Sequence, residues 1–418
     1  MTSSNETTLT NTNIVLSDRV VFGSIKIRDG YIDEIDEGPT PIKNGIDLEG
    51  DFLIPGLIEL HTDNLERHCV PRPKVFWPLR SAVIAHDAEI ASAGITTVFD
   101  AIAVGGGMLN KNRDMVLMDS ANAVIDAVKD KALRTEHYLH MRCEVASANV
   151  MELFDNFYNE PLVQLVSLMD HTPGERQFVD EKKLKVYYQG KYGLNDIEFD
   201  KMVIERKELQ AKYSKKHRLV ISSMCKNIGM ITATHDDATE AHIEEAVGLG
   251  ATISEFPTTV VAASAALKAG MSTIMGAPNV VRGRSHSGNV SATDLAQKRL
   301  LNALSSDYVP SSLLYGAFLL SDKQGFSLPD AIATVTSNPA RMANFDDRGE
   351  IKIGLVSISD RASRNEYKDL GLPNLKEWLL KAIVSPWCAV EKLIPDEQEL
   401  IAKTLIELVD EYSCDLVL

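Results

Sequence analysis

The chain has 418 residues, of which 44% are hydrophobic and 24% charged, and its formal net charge is −16. This length allows one large domain or two to three ordinary ones. The net charge argues against general nucleic-acid binding and against an anionic membrane surface as a partner, although a local group of cations could still hold an anionic substrate.

Five cysteines lie far apart in the sequence and form no Cys-x-x-Cys pair: Cys69, Cys143, Cys225, Cys388 and Cys414. An odd number of scattered cysteines is typical of a reducing compartment and argues against a zinc ribbon or a disulfide scaffold. The N-terminus is polar and threonine-rich, unlike a secretory signal, and no apolar run approaches membrane-spanning length. We therefore expect a cytoplasmic protein with no membrane and no nucleic-acid partner.

Residues 1–55 predict a small β domain of the β-sandwich type. Three short β-type runs precede a Pro-Gly break at residues 55 and 56: Ile14–Leu16, Val20–Ile27 and Tyr31–Ile35. Between the last two runs, Asp29 and Gly30 form a strong hairpin turn signal. The sequence therefore predicts a small antiparallel unit at this end of the chain.

Residues 56–350 alternate apolar strand-like runs with helical stretches. Eight runs are candidate strands: Leu57–His61, Thr96–Asp100, His137–Glu144, Val163–His171, Met230–His235, Ala251–Glu255, Ser272–Asn279 and Ala303–Asp307. The apolar spacing between them suits helices, as in 114–131, 200–216, 240–249 and 260–269. This alternation predicts an α/β fold, a (β/α)₈ barrel, in which catalytic groups lie at the carboxyl ends of the strands. A doubly wound open sheet is the alternative, but it gives no reason for polar residues at so many strand ends.

Most of these runs end in a residue that can bind a metal ion. His61 and Asp63 are two residues apart, so their side chains leave an extended chain on the same face. Six candidate ligands come from the predicted strand ends: His61, Asp63, Glu144, His171, His235 and Asp307. Three imidazoles and three carboxylates suit two divalent metal ions, of zinc, manganese, iron or nickel. A single such residue is as easily structural, but six together fit chance poorly.

Two carboxylates have further candidate roles. Asp307 is the candidate catalytic residue, because a carboxylate beside a metal-bound water can take its proton and pass it to the leaving group. Glu255 could orient a metal ligand from behind, and a buried ion pair is an equal alternative for it.

Residues 276–289 combine two arginines, a histidine, two serines and three glycines. Such a stretch offers paired donors and a close backbone approach to phosphate oxygens. Because barrels often bind phosphate after strand seven, we favour an anion site over an ordinary polar surface loop. The expected substrate contacts from this region and beyond it are Asn279, Arg282, Arg284, His286 and Arg176, with Arg72 as a further candidate.

Several motifs resemble known proteins. Residues 55–61 (PGLIELH), 93–98 (AGITTV) and 336–340 (TSNPA) are similar to the amidohydrolase superfamily. More narrowly, longer motifs between about residues 13 and 350 resemble the diphosphatases that act on α-D-ribose 1-methylphosphonate 5-triphosphate in the carbon–phosphorus lyase pathway. These motifs are HTDNLERH (61–68), SLMDHTPGERQF (167–178), THDDAT (234–239), SEFPTT (254–259), GAPNVVRGRSHSGN (276–289) and SDYVPSSLL (306–314).

This resemblance implies a metal-dependent hydrolase that releases diphosphate from a small sugar triphosphate and leaves the ribose 5-phosphate phosphonate. It assigns the bridging ligand to Glu144 and the two following ligands to His171 and His235. The His-x-Asp pair at 61–63 matches the narrower family, whereas the superfamily commonly has His-x-His. The neighbouring Asn64, Arg67 and His68 are then expected on the substrate side. A homo-oligomer or an association with other phosphonate-pathway enzymes is a further expectation.

Residues 351–418 resemble a different family, the molybdopterin adenylyltransferases, through IGLVSISDRAS (353–363), LIPDE (393–397) and LVDE (408–411). A strand at 354–359, amphipathic helices at 374–383 and 396–412, and a final apolar run at 414–418 predict a partial α/β appendage. The Gly-rich nucleotide loop of that family does not follow, so we expect an inactive segment that does not bind molybdopterin. A natural fusion and a gene-model join explain it equally well.

Two other functions stay open at this point. One is hydrolysis of an amide or cyclic amide on the same barrel, against which the two arginines in 276–289 favour phosphate. The other is an inactive chimera, in which the replaced C-terminus leaves the small β unit incomplete and the barrel destabilised.

Overall fold

The computed structural model describes residues 6–39, 45–72, 75–106, 111–176, 184–185, 194–285, 288–348, 351–364, 366–382, 387–410, 412, 414 and 416–417. The chain divides into two compact units. One, the barrel unit, contains Gly56–Ser327 and Ala331–Ala343, and the other, the terminal unit, contains Met1–Pro55, Leu328–Asp330 and Asn344–Leu418.

The N-terminal part of the terminal unit forms a five-stranded sheet. Its strands are β1 (Glu6–Val15), β2 (Val20–Arg28), β3 (Tyr31–Glu37), β4 (Ile46–Asp47) and β5 (Phe52–Leu53). The order is β3-β2-β1-β4, and β5 also pairs with β1. β2 and β3 are antiparallel, and the predicted hairpin turn has positive φ at both Asp29 (52°) and Gly30 (91°). Aspartate and glycine are among the residues that accept this conformation most readily, so the turn residues fix the hairpin.

The barrel unit contains eight parallel strands that follow each other around the sheet in chain order. They are β6 (Leu57–Thr62), β7 (Ile95–Val104), β8 (Glu136–Glu144), β9 (Val163–Met169), β10 (Ile231–His235), β11 (Ile253–Glu255), β12 (Ser272–Gly276) and β13 (Ala303–Ser305). Beyond β13, the Asp307 backbone closes the ring: its N–H donates to the His61 carbonyl (3.2 Å), and its carbonyl accepts from the Asp63 N–H (3.1 Å). The predicted (β/α)₈ barrel is confirmed.

Helices cover the outside of this sheet. Those of the barrel unit are α1 (Asn64–Cys69), α2 (Leu79–Ser92), α3 (Lys111–Lys129), α4 (Val150–Asp155), α5 (Asp196–Asn227), α6 (Glu240–Gly248), α7 (Val260–Lys268), α8 (Ala277–Arg282), α9 (Ala292–Gln297) and α10 (Ser312–Gln324). Next come α11 (Leu328–Ala333), which spans the unit boundary, and α12 (Ser337–Met342). Buried apolar side chains of β7, β8 and β9, such as Ile102, Met141 and Val166, form the main core with residues of α2, α3 and α5.

Two local predictions differ from the structure. The predicted strand 272–279 ends at Gly276, because Pro278 lies in the first turn of α8, where proline fits a helix. The helix predicted at 200–216 is part of the much longer α5. Asn195 is the N-cap of this helix. Its side chain accepts from the Glu198 N–H, and the Glu198 side chain accepts from the Asn195 N–H. This reciprocal cap satisfies donors at the helix start and sets its beginning upstream of the predicted one.

The C-terminal part of the terminal unit is a three-stranded parallel sheet in the order β15-β14-β16. Its strands are β14 (Ile351–Ile358), β15 (Trp387–Ile394) and β16 (Leu416–Val417), and its helices are α13 (Asp360–Ser363), α14 (Gly371–Ala382) and α15 (Gln398–Asp410). The predicted partial α/β segment is therefore present, with β15 as a strand that the sequence analysis did not identify. Among the described residues, no helix combines the length and the apolarity that crossing a membrane requires.

Candidate functional site

The carboxyl ends of the barrel strands bring the predicted metal ligands to one place. His61 is near the end of β6, Glu144 ends β8 and His235 ends β10, while His171 follows β9 by two residues. The His235 ring lies 5.7 Å from the His61 ring and 5.7 Å from the His171 ring, measured between centroids. Residues far apart in the sequence thus meet because parallel strands end at the same face.

Each of these three imidazoles is held through its Nδ1 atom by a carboxylate. The Nδ1 contacts are His61 to Glu255 Oε1 (2.9 Å), His171 to Glu144 Oε2 (2.7 Å) and His235 to Asp236 Oδ2 (2.7 Å). An ionised carboxylate only accepts, so Nδ1 donates, and once each ring is neutral its lone pair lies on Nε2, the nitrogen that a metal ion would bind. Histidines that ligate metal ions have this arrangement, in which an outer carboxylate fixes the tautomer and the ring orientation.

The His235 Nε2 atom is buried and has no hydrogen-bond partner among the described residues. Buried polar atoms are normally paired, so an unpaired imidazole nitrogen in a group of acidic side chains needs an explanation. A divalent metal ion would supply the missing partner. His171, His235 and Asp236 each offer a ligand atom within 4.8 Å of the others, and His61, His140 and Glu255 form a second such group. The residues present therefore fit a metal centre.

Asp307 lies directly beside the proposed ligands, with a positive φ of 54°. Burial and the nearby Asp63 carboxylate raise the pKa of the Asp307 carboxyl to about 7, although the Arg142 guanidinium opposes the shift. A carboxyl group that titrates near neutrality is well suited to exchange a proton with a reacting water.

The histidines respond to their surroundings in opposite directions. Burial lowers the pKa of His61 well below its usual value, and the charges of Arg142 and His235 act in the same direction. For His171, burial also lowers the pKa, but the carboxylates of Glu144 and Asp236 outweigh it and raise the pKa to about 9. The carboxylates of Glu144 and Asp236 therefore favour the protonated form of His171, whereas burial and Arg142 disfavour the protonated form of His61.

A cavity of about 120 Å³ opens beside these groups. Its lining includes His61, His235, Asp236 and Asp307 from the proposed metal side and Arg142 from β8. The stretch around α8 lines the cavity with Asn279, Arg282 and Arg284, three of the predicted substrate contacts. The fourth from that stretch, His286, lies outside the described residues. Cations and candidate metal ligands therefore face the same space.

Three predicted substrate contacts are instead engaged on the outside of the barrel. Asn64 Nδ2 donates to Glu89 Oε2 (3.0 Å), His68 Nε2 lies 2.9 Å from the same oxygen, and Arg67 pairs with Glu89 Oε1. Burial alone would raise the pKa of Glu89, but these three partners lower it to about 2. Because α1 turns these side chains towards α2, none of them lines the cavity.

Arg176 is also committed within the protein. Its guanidinium is 4% exposed and pairs with Asp237 and, at 3.1 Å, with Glu245 Oε2. The Asp237 and Glu245 carboxylates therefore compensate the charge of Arg176 within the protein. Arg72, the further candidate, is exposed.

Sequence reasoning missed three side chains of the site. Asp236 directly follows His235. Arg142 lies two residues before Glu144, so the side chains of Arg142 and Glu144 leave β8 on the same face. That spacing was a usable signal. The third, His140, lies deeper, where its Nε2 contacts Ser167 Oγ (2.5 Å), and burial lowers its pKa to about 3.

A second buried polar group, here called the β7–α2 network, lies between the strands and α2. Asp100 accepts from His86 Nε2 and from His137 Nδ1, both at 2.7 Å. His137 Nε2 in turn lies 3.3 Å from Asp87 Oδ1, and His86 Nδ1 accepts from Asn64 Nδ2 at 3.0 Å. All ring nitrogens of this network are paired, so it has the character of a structural network.

Comparison with known proteins identifies the family. No family model matches the chain. The α-D-ribose 1-methylphosphonate 5-triphosphate diphosphatase of Escherichia coli (strain K12) is 46% identical over 348 residues, which cover 83% of this chain and 92% of that protein. The chain belongs to this diphosphatase family. The barrel fold is also shared with solved structures of low sequence identity.

Two of those structures are N-acetyl-D-glucosamine-6-phosphate deacetylase from Mycobacterium smegmatis (13% identity, TM-score 0.52, 81% of this chain and 91% of that chain) and 5-methylcytosine deaminase from Klebsiella pneumoniae (13% identity, TM-score 0.54, 81% and 87%).

The C-terminal segment is similar to another protein. Molybdopterin adenylyltransferase from Escherichia coli (strain K12) is 59% identical over 68 residues, 16% of this chain, and the chain spans about a third (35%) of that relative.

Proposed function

We propose that the protein hydrolyses α-D-ribose 1-methylphosphonate 5-triphosphate to α-D-ribose 1-methylphosphonate 5-phosphate and diphosphate, as a metal-dependent diphosphatase of phosphonate catabolism. The observation that carries the proposal is the 46% identity to the diphosphatase over 92% of its length. The cavity supports it, because arginines and candidate metal ligands line the same space, as hydrolysis of a phosphoanhydride requires.

The proposed metal ligands are the six predicted from the sequence: His61, Asp63, Glu144, His171, His235 and Asp307. Both Glu144 oxygens accept from His171, at 3.0 and 2.7 Å, so coordination by Glu144 would replace at least one of these contacts. Two divalent ions held there would neutralise phosphoryl charge and make the attacking water more acidic. Their number and their identity, zinc, manganese, iron or nickel, belong to the proposal. The unpaired Nε2 of His235 and the three carboxylate-anchored imidazoles support it.

Residues of the chain itself have the other roles in the proposed reaction. Asp307 takes the proton of the attacking water and delivers it to the leaving diphosphate or to solvent. Arg282 and Arg284, at the end of α8, neutralise the charge of the triphosphate chain. Asn279 orients α9, because its Oδ1 accepts from the Ala292 N–H at 3.1 Å, and its side chain lines the cavity beside the proposed substrate position.

The proposal also covers the domain organisation, the cellular compartment and the association of the protein. We divide the chain functionally into a small β domain (1–55), the catalytic barrel (56–350) and an α/β segment similar to part of molybdopterin adenylyltransferase (351–418). Three buried cysteines, Cys69, Cys143 and Cys225, carry free thiols, which supports a reducing, cytoplasmic compartment. Association with itself or with other phosphonate-pathway enzymes is part of the same proposal.

The test is release of diphosphate from the ribose triphosphate by protein loaded separately with each candidate metal. Dihydroorotate, a cyclic amide, serves as the competing substrate. Diphosphate release without ring opening supports the proposal. Ring opening without diphosphate release would replace it with an amidohydrolase activity, and a protein with neither bound metal nor a cooperative thermal transition would be an inactive chimera.

A further inference from the structure

We infer that Arg142 is a phosphate-binding residue of this site and contacts a phosphoryl oxygen of the substrate. The inference rests on the proposed function and deepens it, since it names a specificity determinant for an anionic substrate that the sequence motifs do not contain. Arg142 is on β8, two residues before Glu144, and its side chain lines the cavity.

The first support is the incomplete pairing of its guanidinium group. The Arg142 side chain is 16% exposed, and its nearest carboxylate oxygen, Asp63 Oδ2, lies 3.6 Å from NH1, beyond a normal hydrogen bond. The Nε atom is buried and has no hydrogen-bond partner among the described residues. A largely buried cation with unsatisfied donors is costly unless a ligand completes its shell.

Arg176 provides the contrast within the same unit. Its side chain is buried as well, but it pairs directly with Asp237 and Glu245, so its charge is compensated by the protein. Arg142 instead lines the cavity, and its contact with the Asp63 carboxylate is longer, at 3.6 Å. The difference identifies Arg142 as a donor that is available to a bound anion.

The second support is the charge of its surroundings. Arg282 and Arg284 line the same cavity, and the proposed metal ions would add positive charge beside His61 and Asp307. The carboxylates of the site would offset the charge of the metal ions, whereas the three arginines repel one another until a polyanion binds between them. A triphosphate has that charge, whereas a neutral amide does not.

The third support is rigidity. Arg142 lies within the β8 ladder, opposite Ala103 of β7 and Ser167 of β9, so its backbone is held on both sides. A planar guanidinium on a fixed strand presents two parallel N–H groups to a phosphate at little entropic cost. A lysine at this position would keep the charge but not the paired donors.

The experiment compares Arg142→Met and Arg142→Lys with the wild type as metal-loaded full chains. Inorganic pyrophosphate is the probe, its dissociation constant is measured by calorimetry, and bound metal is counted by mass spectrometry. Arg80→Met is the matched control, because Arg80 is 54% exposed and pairs with Asp130 on the surface. Steady-state kinetics with the ribose triphosphate follow on the same samples.

We expect Arg142→Met to weaken pyrophosphate binding about tenfold or more, equivalent to about 1.4 kcal/mol, with metal content unchanged. Arg142→Lys should recover part of this loss, and Arg80→Met should bind like the wild type. Wild-type pyrophosphate affinity in Arg142→Met overturns the inference. Loss of metal together with pyrophosphate also overturns it, since Arg142 would then act through Asp63.

Failure of the inference and failure of the proposed function give different results. If the wild type hydrolyses the triphosphate and Arg142→Met does so with unchanged KM and kcat, only the inference fails. If the wild type releases no diphosphate but Arg142→Met still weakens pyrophosphate binding, the anion site stands and the reaction is wrong.

Discussion

Glu255 Oε1 lies 2.9 Å from Nδ1 of His61, and the two side chains are 0% and 1% exposed. The contact joins β11 to β6 below the mouth of the barrel. Oε1 of Glu255 accepts from His61 and Oε2 accepts from Ser167 Oγ, so both oxygens are engaged with protein groups and Glu255 orients His61. This geometry supports the orienting role over an isolated ion pair.

Glu255→Gln should therefore weaken metal binding without unfolding the barrel. Glutamine still accepts from His61 Nδ1, but the lost negative charge makes the imidazole a poorer ligand, by about 10–100-fold in metal affinity. Competition with a chelating dye measures this affinity. Glu244→Gln, on the exposed face of α6, is the control. Unchanged metal affinity in Glu255→Gln would show that its contact with His61 is structural.

Asp307→Asn should abolish turnover and leave the fold intact. Loss of the proton shuttle should lower kcat by about 10²–10⁴-fold. Asparagine tolerates positive φ, and the buried carboxyl group already favours its neutral form, so thermal stability should hold. Asp322→Asn, on exposed α10 surface, controls for the loss of a carboxylate. Near-normal activity in Asp307→Asn would remove Asp307 from the mechanism.

Asn64→Ala should lower stability and leave KM unchanged. The Asn64 side-chain amide donates to His86 Nδ1 and to Glu89 Oε2. Its removal leaves buried groups unpaired and should lower the free energy of unfolding by about 1–3 kcal/mol. Urea unfolding and steady-state kinetics on one preparation measure both quantities. A raised KM at wild-type stability would instead restore Asn64 to the substrate side, where its position in the motif first placed it.

His137→Gln should remove stability in a pH-dependent way. Burial lowers the pKa of His137, but Asp100 and Asp87 outweigh it and raise the pKa from 6.5 to about 9. Because the folded-state pKa is the higher one, the stabilisation is complete below pH 6.5 and is lost as pH rises to about 9. Breaking this buried pair should cost about 3–5 kcal/mol at the acidic end of that window.

The difference in unfolding free energy between the wild type and His137→Gln should accordingly shrink across this window. His242→Gln is the control, because burial lowers the pKa of His242 and its titration falls below the window. A constant difference between wild type and His137→Gln would mean that His137 is neutral in the folded protein.

The barrel could be predicted because its strands are short apolar runs that end in polar residues. Periodicity identifies such elements, and parallel connection follows from their alternation with helices. His61, Glu144 and His235 could be found because strand ends converge. The same logic explains one of the local errors, at residues 277–279, where Pro278 lies in the first turn of a helix within an apolar run.

Charge pairing could not be predicted in the same way. Arg67 and His68 adjoin the metal motif in sequence, yet Glu89, more than twenty residues away, takes them to the outside of the barrel. Arg176 finds Asp237 and Glu245 through the packing of its loop against α6. Such partners depend on three-dimensional contacts. Arg142 could have been found, since it shares a strand face with Glu144.

The most direct test of the central claim measures metal content and diphosphate release on one preparation of the full chain. The account predicts two divalent ions per chain and diphosphate release from the ribose triphosphate, lost on chelation and restored by added metal. Diphosphate release at an unchanged rate after complete removal of metal would contradict it, as would a metal-loaded protein that releases none.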